Sequence, residues 1–90
     1  MKTKVHLYSR LRTFAGDQGT VEVEGATVGE CLEDLVGQFP RLRAKLFDKS
    51  GNISSIVYVS INMNSTNPEK KETPLKEGDE LYIVMIIPGG

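Results

Sequence analysis

One stretch of this chain is built to be a helix, and strand-like segments lie in pairs on either side of it, which leaves 90 residues few ways to fold. Thr27-Val28-Gly29-Glu30 has the spacing of a capping box, in which the Thr27 hydroxyl accepts from the Glu30 N–H while the Glu30 carboxylate reaches back to Thr27. Cys31, Leu32, Leu35, Val36 and Phe39 then recur at three- and four-residue intervals. They make one apolar stripe, with Glu30, Glu33, Asp34 and Gln38 turned to water. Pro40 stops the pattern.

Upstream, residues 3–11 place Val5 and Leu7 two apart, the period of a half-buried strand. A short turn punctuated by Gly16 and Gly19 follows, with Phe14 expected to drop back onto the core. Thr20–Glu24 alternates and ends at Gly25, so the two segments are expected to pair as an antiparallel hairpin. Downstream, residues 41–47 suit one or two more helical turns anchored by Leu42, Leu46 and Phe47, and Asp48 to Asn52 reads as a loop. Residues 56–63 are the most β-prone run, with Val57, Val59, Ile61 and Met63 on one face, and suit a strand near the middle of the sheet. Residues 64–74, polar with two prolines, read as a mobile loop, and Leu75 to Glu80 as a tight turn in which Leu75 is anchored and Gly78 can take positive φ.

The last strand, residues 81–87, is apolar on both faces. One face fills the core. Tyr82, Val84 and Ile86 alternate onto the other; if exposed they form an interaction strip, and otherwise another segment of the chain covers them. Strand, strand, helix, strand, strand in so short a chain is too few units for a doubly wound domain, so one helix must cover one mixed sheet of four to five strands. A right-handed crossover lets the first and last strands lie parallel at the centre with hairpin partners outside. That is an α+β fold of the β-grasp type: a single domain over residues 1–87, followed by an extended, flexible tail at 88–90.

Composition narrows the function. With 11 basic and 12 acidic residues the formal net charge is −1, so no overall field draws the chain to nucleic acid or to an anionic membrane, and neither is expected as a partner. A lone cysteine, Cys31, excludes an internal disulfide and a four-thiolate metal site, and implies a reducing compartment. No apolar run reaches the roughly 18 residues of a membrane span, and the first residues lead straight into a strand pattern, so a cytoplasmic protein is expected. No catalytic constellation is legible. His6 and Tyr8 suit an exposed strand face; Cys31, beside Glu30 and Glu33, suits packing; Arg41, Arg43, Lys45 and Lys49 suit a solvated face; and Glu77, Asp79 and Glu80 suit a turn, because they lack the longer pattern of a calcium loop.

The strand ends in Ile86-Ile87-Pro88-Gly89-Gly90. Pro88 fixes φ and donates no N–H, which directs the tail away from the sheet, and Gly89-Gly90 can enter a channel too narrow for any other dipeptide. Leu11-Arg12 with Gly16, the Thr27-x-x-Glu30 helix start, Val59-x-Ile61-Asn62, the turn Pro74-Leu75-x-x-Gly78-Asp79-Glu80-Leu81, and Gly89-Gly90 together resemble the MoaD/ThiS family of ubiquitin-like sulfur carriers over nearly the whole chain. Met85-Ile86-Ile87 before Pro88 departs from the Val-Ala-Gly-Gly tail of many members.

The resemblance implies a carrier, not an enzyme. Its Gly90 carboxylate would attack the α-phosphate of ATP on a ubiquitin-activating-type adenylyltransferase that supplies ATP and Mg²⁺, the chain itself binding no cofactor. Sulfide, or a persulfide from a sulfurtransferase or desulfurase, would then displace AMP to leave a thiocarboxylate. Molybdopterin synthesis is the acceptor pathway the pattern suits best, with a larger molybdopterin synthase subunit as a further partner; thiamin, cysteine or tRNA thiolation are alternatives. Other readings are a protein modifier joined through Gly90 to lysines and an interaction module with an inert tail. In the carrier reading Gly89 and Pro88 serve the tail, and Tyr82, Val84 and Ile86 dock the partner.

Overall fold

The computed structural model describes residues 1–63 and 70–86. Strands β1 (Lys2–Leu7), β2 (Thr20–Glu24), β3 (Val57–Ile61) and β4 (Glu80–Met85) form one sheet in the order β2-β1-β4-β3. β1 and β2 pair antiparallel with Val5 opposite Val21, β1 and β4 pair parallel with Val5 opposite Leu81, and β3 and β4 pair antiparallel with Val59 opposite Ile83. The antiparallel hairpin and the central parallel pair are as the sequence leads one to expect.

Helix α1 (Val28–Gln38) covers one face of the sheet, because its stripe of Val28, Cys31, Leu32, Leu35 and Val36 meets Val5, Leu7, Val21, Val23, Val59, Leu81 and Ile83. Burying a Leu or Val side chain is worth about 1.5–3 kcal/mol, so this shared face dominates the fold. The helix starts as expected, with Glu30 N–H donating to Thr27 Oγ1 at 3.1 Å. The return half of the box differs by one residue: Glu30 Oε1 accepts from the Ala26 N–H, at 2.9 Å, and not from Thr27. Cys31 is fully buried, as the packing reading requires. Burial chiefly pushes its thiol above the usual range; Glu30 and Asp34 add to that, while a hydrogen bond with the buried Thr3 opposes it.

Three boundaries differ from expectation. β1 ends at Leu7, and residues 9–15 form a 3₁₀ segment (Ser9–Ala15) that seats Leu11 and Ala15 in the core with Phe14 half-buried beside them. β3 is an edge strand, not a central one. Its apolar character comes from packing Val57 and Val59 toward α1 and from the residues on its opposite face, so it reports burial on the two faces and not the number of strand neighbours. Met63 does not share the core face: Asn62 and Met63 both take positive φ (53° and 60°), the alternation ends at Ile61, and Met63 is left 70% exposed.

The sheet edge at β2 is closed by the helix: Glu24 N–H donates to Asp34 Oδ2 at 2.8 Å, and Gln38 Nε2 donates to the Glu22 carbonyl at 3.0 Å. Such cover blunts an edge that would otherwise template pairing. Pro40–Leu42 (3₁₀) and α2 (Arg43–Leu46) continue from α1 and bury Leu42 and Leu46, with Phe47 following them inward. In the turn before β4, Leu75 is buried and Gly78 takes φ 90°, both as expected. The polar loop read at 64–74 lies largely outside the described residues.

Candidate docking face and tail

The face of the sheet away from α1 is built by strand register. Because β1 and β4 run parallel with Lys4 beside Glu80 and His6 beside Tyr82, residues far apart in sequence meet as neighbours. The His6 and Tyr82 rings stack with centroids 4.5 Å apart, and Tyr8 extends the stack to Tyr82 at 6.4 Å, both pairs inclined by 17°. Offset stacking of this kind adds about 0.5–1.5 kcal/mol per pair beyond burial.

His6 is fixed at both nitrogens. A carboxylate only accepts, so Nε2–H donates to Glu80 Oε1; Nδ1 then lies 3.1 Å from the Thr20 hydroxyl, which donates to it when the ring is neutral. The His6 bond is the main cause that holds the Glu80 carboxyl below its usual range. Desolvation by its neighbours, and then Glu80 and Tyr8, push the Tyr82 hydroxyl up. This network orients the face.

Tyr82, Val84 and Ile86 fall on this face, as the alternation requires, with Leu81 and Ile83 buried on the other. Val84 is 37% and Ile86 48% exposed, so among the described residues no other segment covers them. Tyr8, Tyr58, Ser60, Met63, Tyr82 and Val84 line one open groove of about 400 Å³. Tyr8 stands on the exposed strand face where the sequence placed it with His6, whereas Tyr58, Ser60 and Met63 were not legible as lining residues. The signal for Tyr58 was its place in β3 opposite the core-facing Val57 and Val59; Met63 gave none, since the chain reverses before it.

The acidic turn joins two strand ends. Asp79 Oδ2 accepts from the Lys76 N–H at 2.8 Å and its Oδ1 from Asn62 Nδ2 at 2.9 Å, bonds that hold its carboxyl below the usual range. Asn62 Oδ1 in turn accepts from the Glu80 N–H at 2.8 Å, so the pair ties the end of β3 to the start of β4. Among the described residues no group of three or more His, Cys, Asp or Glu side chains could hold a metal ion, and no helix is long and apolar enough to cross a membrane. Pro88, Gly89 and Gly90, the residues singled out for the tail, lie outside the described residues.

The architecture and sequence match known proteins throughout. The model of the ThiS family matches residues 5–90. Ubiquitin-related modifier 1 of Encephalitozoon cuniculi is 37% identical over 73 residues, which span 77% of this chain and 76% of that protein. The crystal structure of SAMP1 from Haloferax volcanii superposes with a TM-score of 0.85 at 29% identity, covering all of both chains. That of the Amycolatopsis orientalis BexX/CysO complex gives a chain with a TM-score of 0.81 at 28% identity, covering 98% of this chain and 99% of that one. With its mixed sheet packed on one helix and a family match over almost its full length, the chain belongs to the ThiS family of ubiquitin-like sulfur carriers and modifiers.

Proposed function

We propose that this protein is a sulfur carrier whose Gly90 carboxylate is adenylated by a separate ATP-dependent enzyme and then converted to a thiocarboxylate. The observation that carries the reading is the family match running through Gly89 and Gly90. The chemistry needs activation because a carboxylate has no good leaving group. A Gly90 oxygen attacks the α-phosphorus of ATP, a new P–O bond forms and pyrophosphate leaves. Hydrosulfide then adds to the acyl carbon, a C–S bond forms, and AMP departs with the electrons of the broken C–O bond.

ATP and Mg²⁺ belong to the partner in this reading. This chain's part is to present the tail and to be recognised. Tyr82, Val84 and Ile86, exposed or half-exposed beside the aromatic stack, give that partner an apolar strip to cover. The sulfur acceptor we favour is the molybdopterin precursor, on the overall sequence pattern; a larger synthase subunit would then bind the same tail. A second reading, conjugation of the adenylated Gly90 to target lysines, draws support from the relative named as a modifier.

Exchange of labelled pyrophosphate into ATP tests the shared first step. With the cognate activating enzyme, the wild-type chain should support exchange, and a chain extended by one residue past Gly90 should not. Equal exchange by both would sink the tail mechanism.

A further inference from the structure

Among the described residues, Arg10, Arg12, Arg41 and Lys45 pair with no carboxylate and stand on segments that meet at one end of the sheet. The half-buried Phe14 ring has the Arg41 guanidinium carbon and Lys45 Nζ each 5.2 Å from its centroid, and Arg10 and Arg12 stand exposed on the same 3₁₀ segment as Phe14. Among the described residues none of these four makes an ion pair, whereas the neighbouring Arg43 reaches Glu33 at 2.9 Å. The Phe14 ring stabilises each of its cations by about 0.5–1 kcal/mol and fixes where they stand. It leaves their charge uncompensated.

The place of this cluster follows from topology. β1 and β4 are parallel with Leu7 beside Ile83, and the Tyr8 N–H donates to the Ile83 carbonyl, so the 3₁₀ segment leaves the sheet at the end where β4 finishes with Met85 and Ile86. The segment that follows α1, Pro40–Leu42, packs against the Ser9–Ala15 segment there and brings Arg41 and Lys45 with it. The cations therefore stand at the end from which the chain continues into residues 87–90.

We propose that this basic end is a docking collar for an acidic surface on the enzyme that takes up the tail, an inference that rests on the carrier reading above. Like charges held together without counter-charge repel one another, and they steer and orient a partner of opposite sign. The shape of the field favours a protein over a nucleic acid. The net charge is −1, and Glu22, Glu33 and Asp34 lie exposed or half-exposed on β2 and α1, so a long polyanion running past the collar meets its own sign. A protein's acidic patch can stop where the collar stops.

The test is pyrophosphate exchange with the cognate activating enzyme, measured against carrier concentration at low and high salt. Two variants are compared with the wild type: Arg10→Glu/Arg12→Glu, which alters exposed side chains, and Arg41→Gln/Lys45→Gln, which removes the two charges held over Phe14. Both should raise KM for the carrier about tenfold with kcat within about twofold, and the difference should shrink at high salt. An unchanged KM in both at low salt overturns the collar, while wild-type exchange leaves the carrier reading standing; no exchange by the wild type overturns both. A rise in KM confined to a variant that also melts early counts against the collar. So does binding of a short duplex RNA that both variants lose while their exchange KM stays at the wild-type value.

Discussion

Gly25, the joint between β2 and α1, gives the sharpest stability prediction. Its φ lies outside the left-handed region, so backbone conformation does not require glycine there; space does. A Cβ at this position would stand 2.7 Å from the Cys31 backbone nitrogen, 2.9 Å from Cys31 Sγ and 3.0 Å from the Glu30 carbonyl carbon. Two of these are main-chain atoms of the first turn of α1, which is pinned by the Thr27 cap, so relief requires the helix start to shift. Overpacking of this kind costs about 1–3 kcal/mol. The lower entropy of the unfolded chain offsets about 0.4–1 kcal/mol of that for Gly→Ala, leaving Gly25→Ala destabilised by roughly 0.6–2 kcal/mol. For a domain of this size that is a fall in Tm of about 2–16 °C. Gly37→Ala is the matched control: it lies within α1, nothing stands within 4 Å of its added Cβ, and it should gain about 0.5–1 kcal/mol from helix propensity. Thermal and urea unfolding of both variants measure the difference. Equal midpoints for Gly25→Ala and the wild type would refute the claim that β2 and α1 are held this closely.

Other outcomes follow from the same geometry. The carboxyls of Asp79 and Glu80 are held below their ordinary values of 3.8 and 4.5, so their contribution to stability is fully present above those values and is lost as pH falls below about 4.5 through the lowered ones. Asp79→Asn should therefore differ most from the wild type at neutral pH and converge with it in acid; parallel unfolding midpoints across that range would contradict the assignment. Val84→Lys and Ile86→Lys change exposed side chains, so stability should stay within about 0.5 kcal/mol of the wild type while KM in pyrophosphate exchange rises; unchanged KM in both would remove the apolar strip from the docking face.

Much of this was legible in the sequence because local pattern and global fold agree. The capped amphipathic stretch at Thr27 to Phe39 could only be a helix, the alternation around Val5 and at Val21 and Val23 could only be a hairpin with one wet face, and Leu81 with Ile83 required a strand buried in the sheet centre. What was missed depends on three-dimensional register. Ser9–Ala15 read as the end of a strand and a turn because a 3₁₀ segment has no long period, although Leu11 and Ala15 four apart did mark an inward face. β3 looked central because Val57 and Val59 fill the core from an edge as fully as from the middle. The His6–Glu80 bond joins residues 74 apart and exists only because β1 and β4 lie parallel. Likewise, no sequence pattern places Arg41 and Lys45 over Phe14; the packing of Pro40–Leu42 and α2 beside the Ser9–Ala15 segment does.

The central claim is that sulfur is carried on Gly90. Intact-mass measurement of the protein isolated from its own cells, with alkylation to trap a thiocarboxylate and fragmentation to locate it, tests that claim most directly. Replacement of one oxygen by sulfur at Gly90 is the predicted result. An unmodified carboxylate throughout, with Gly90 found instead in amide linkage to lysines of other proteins, would contradict the carrier and establish the modifier.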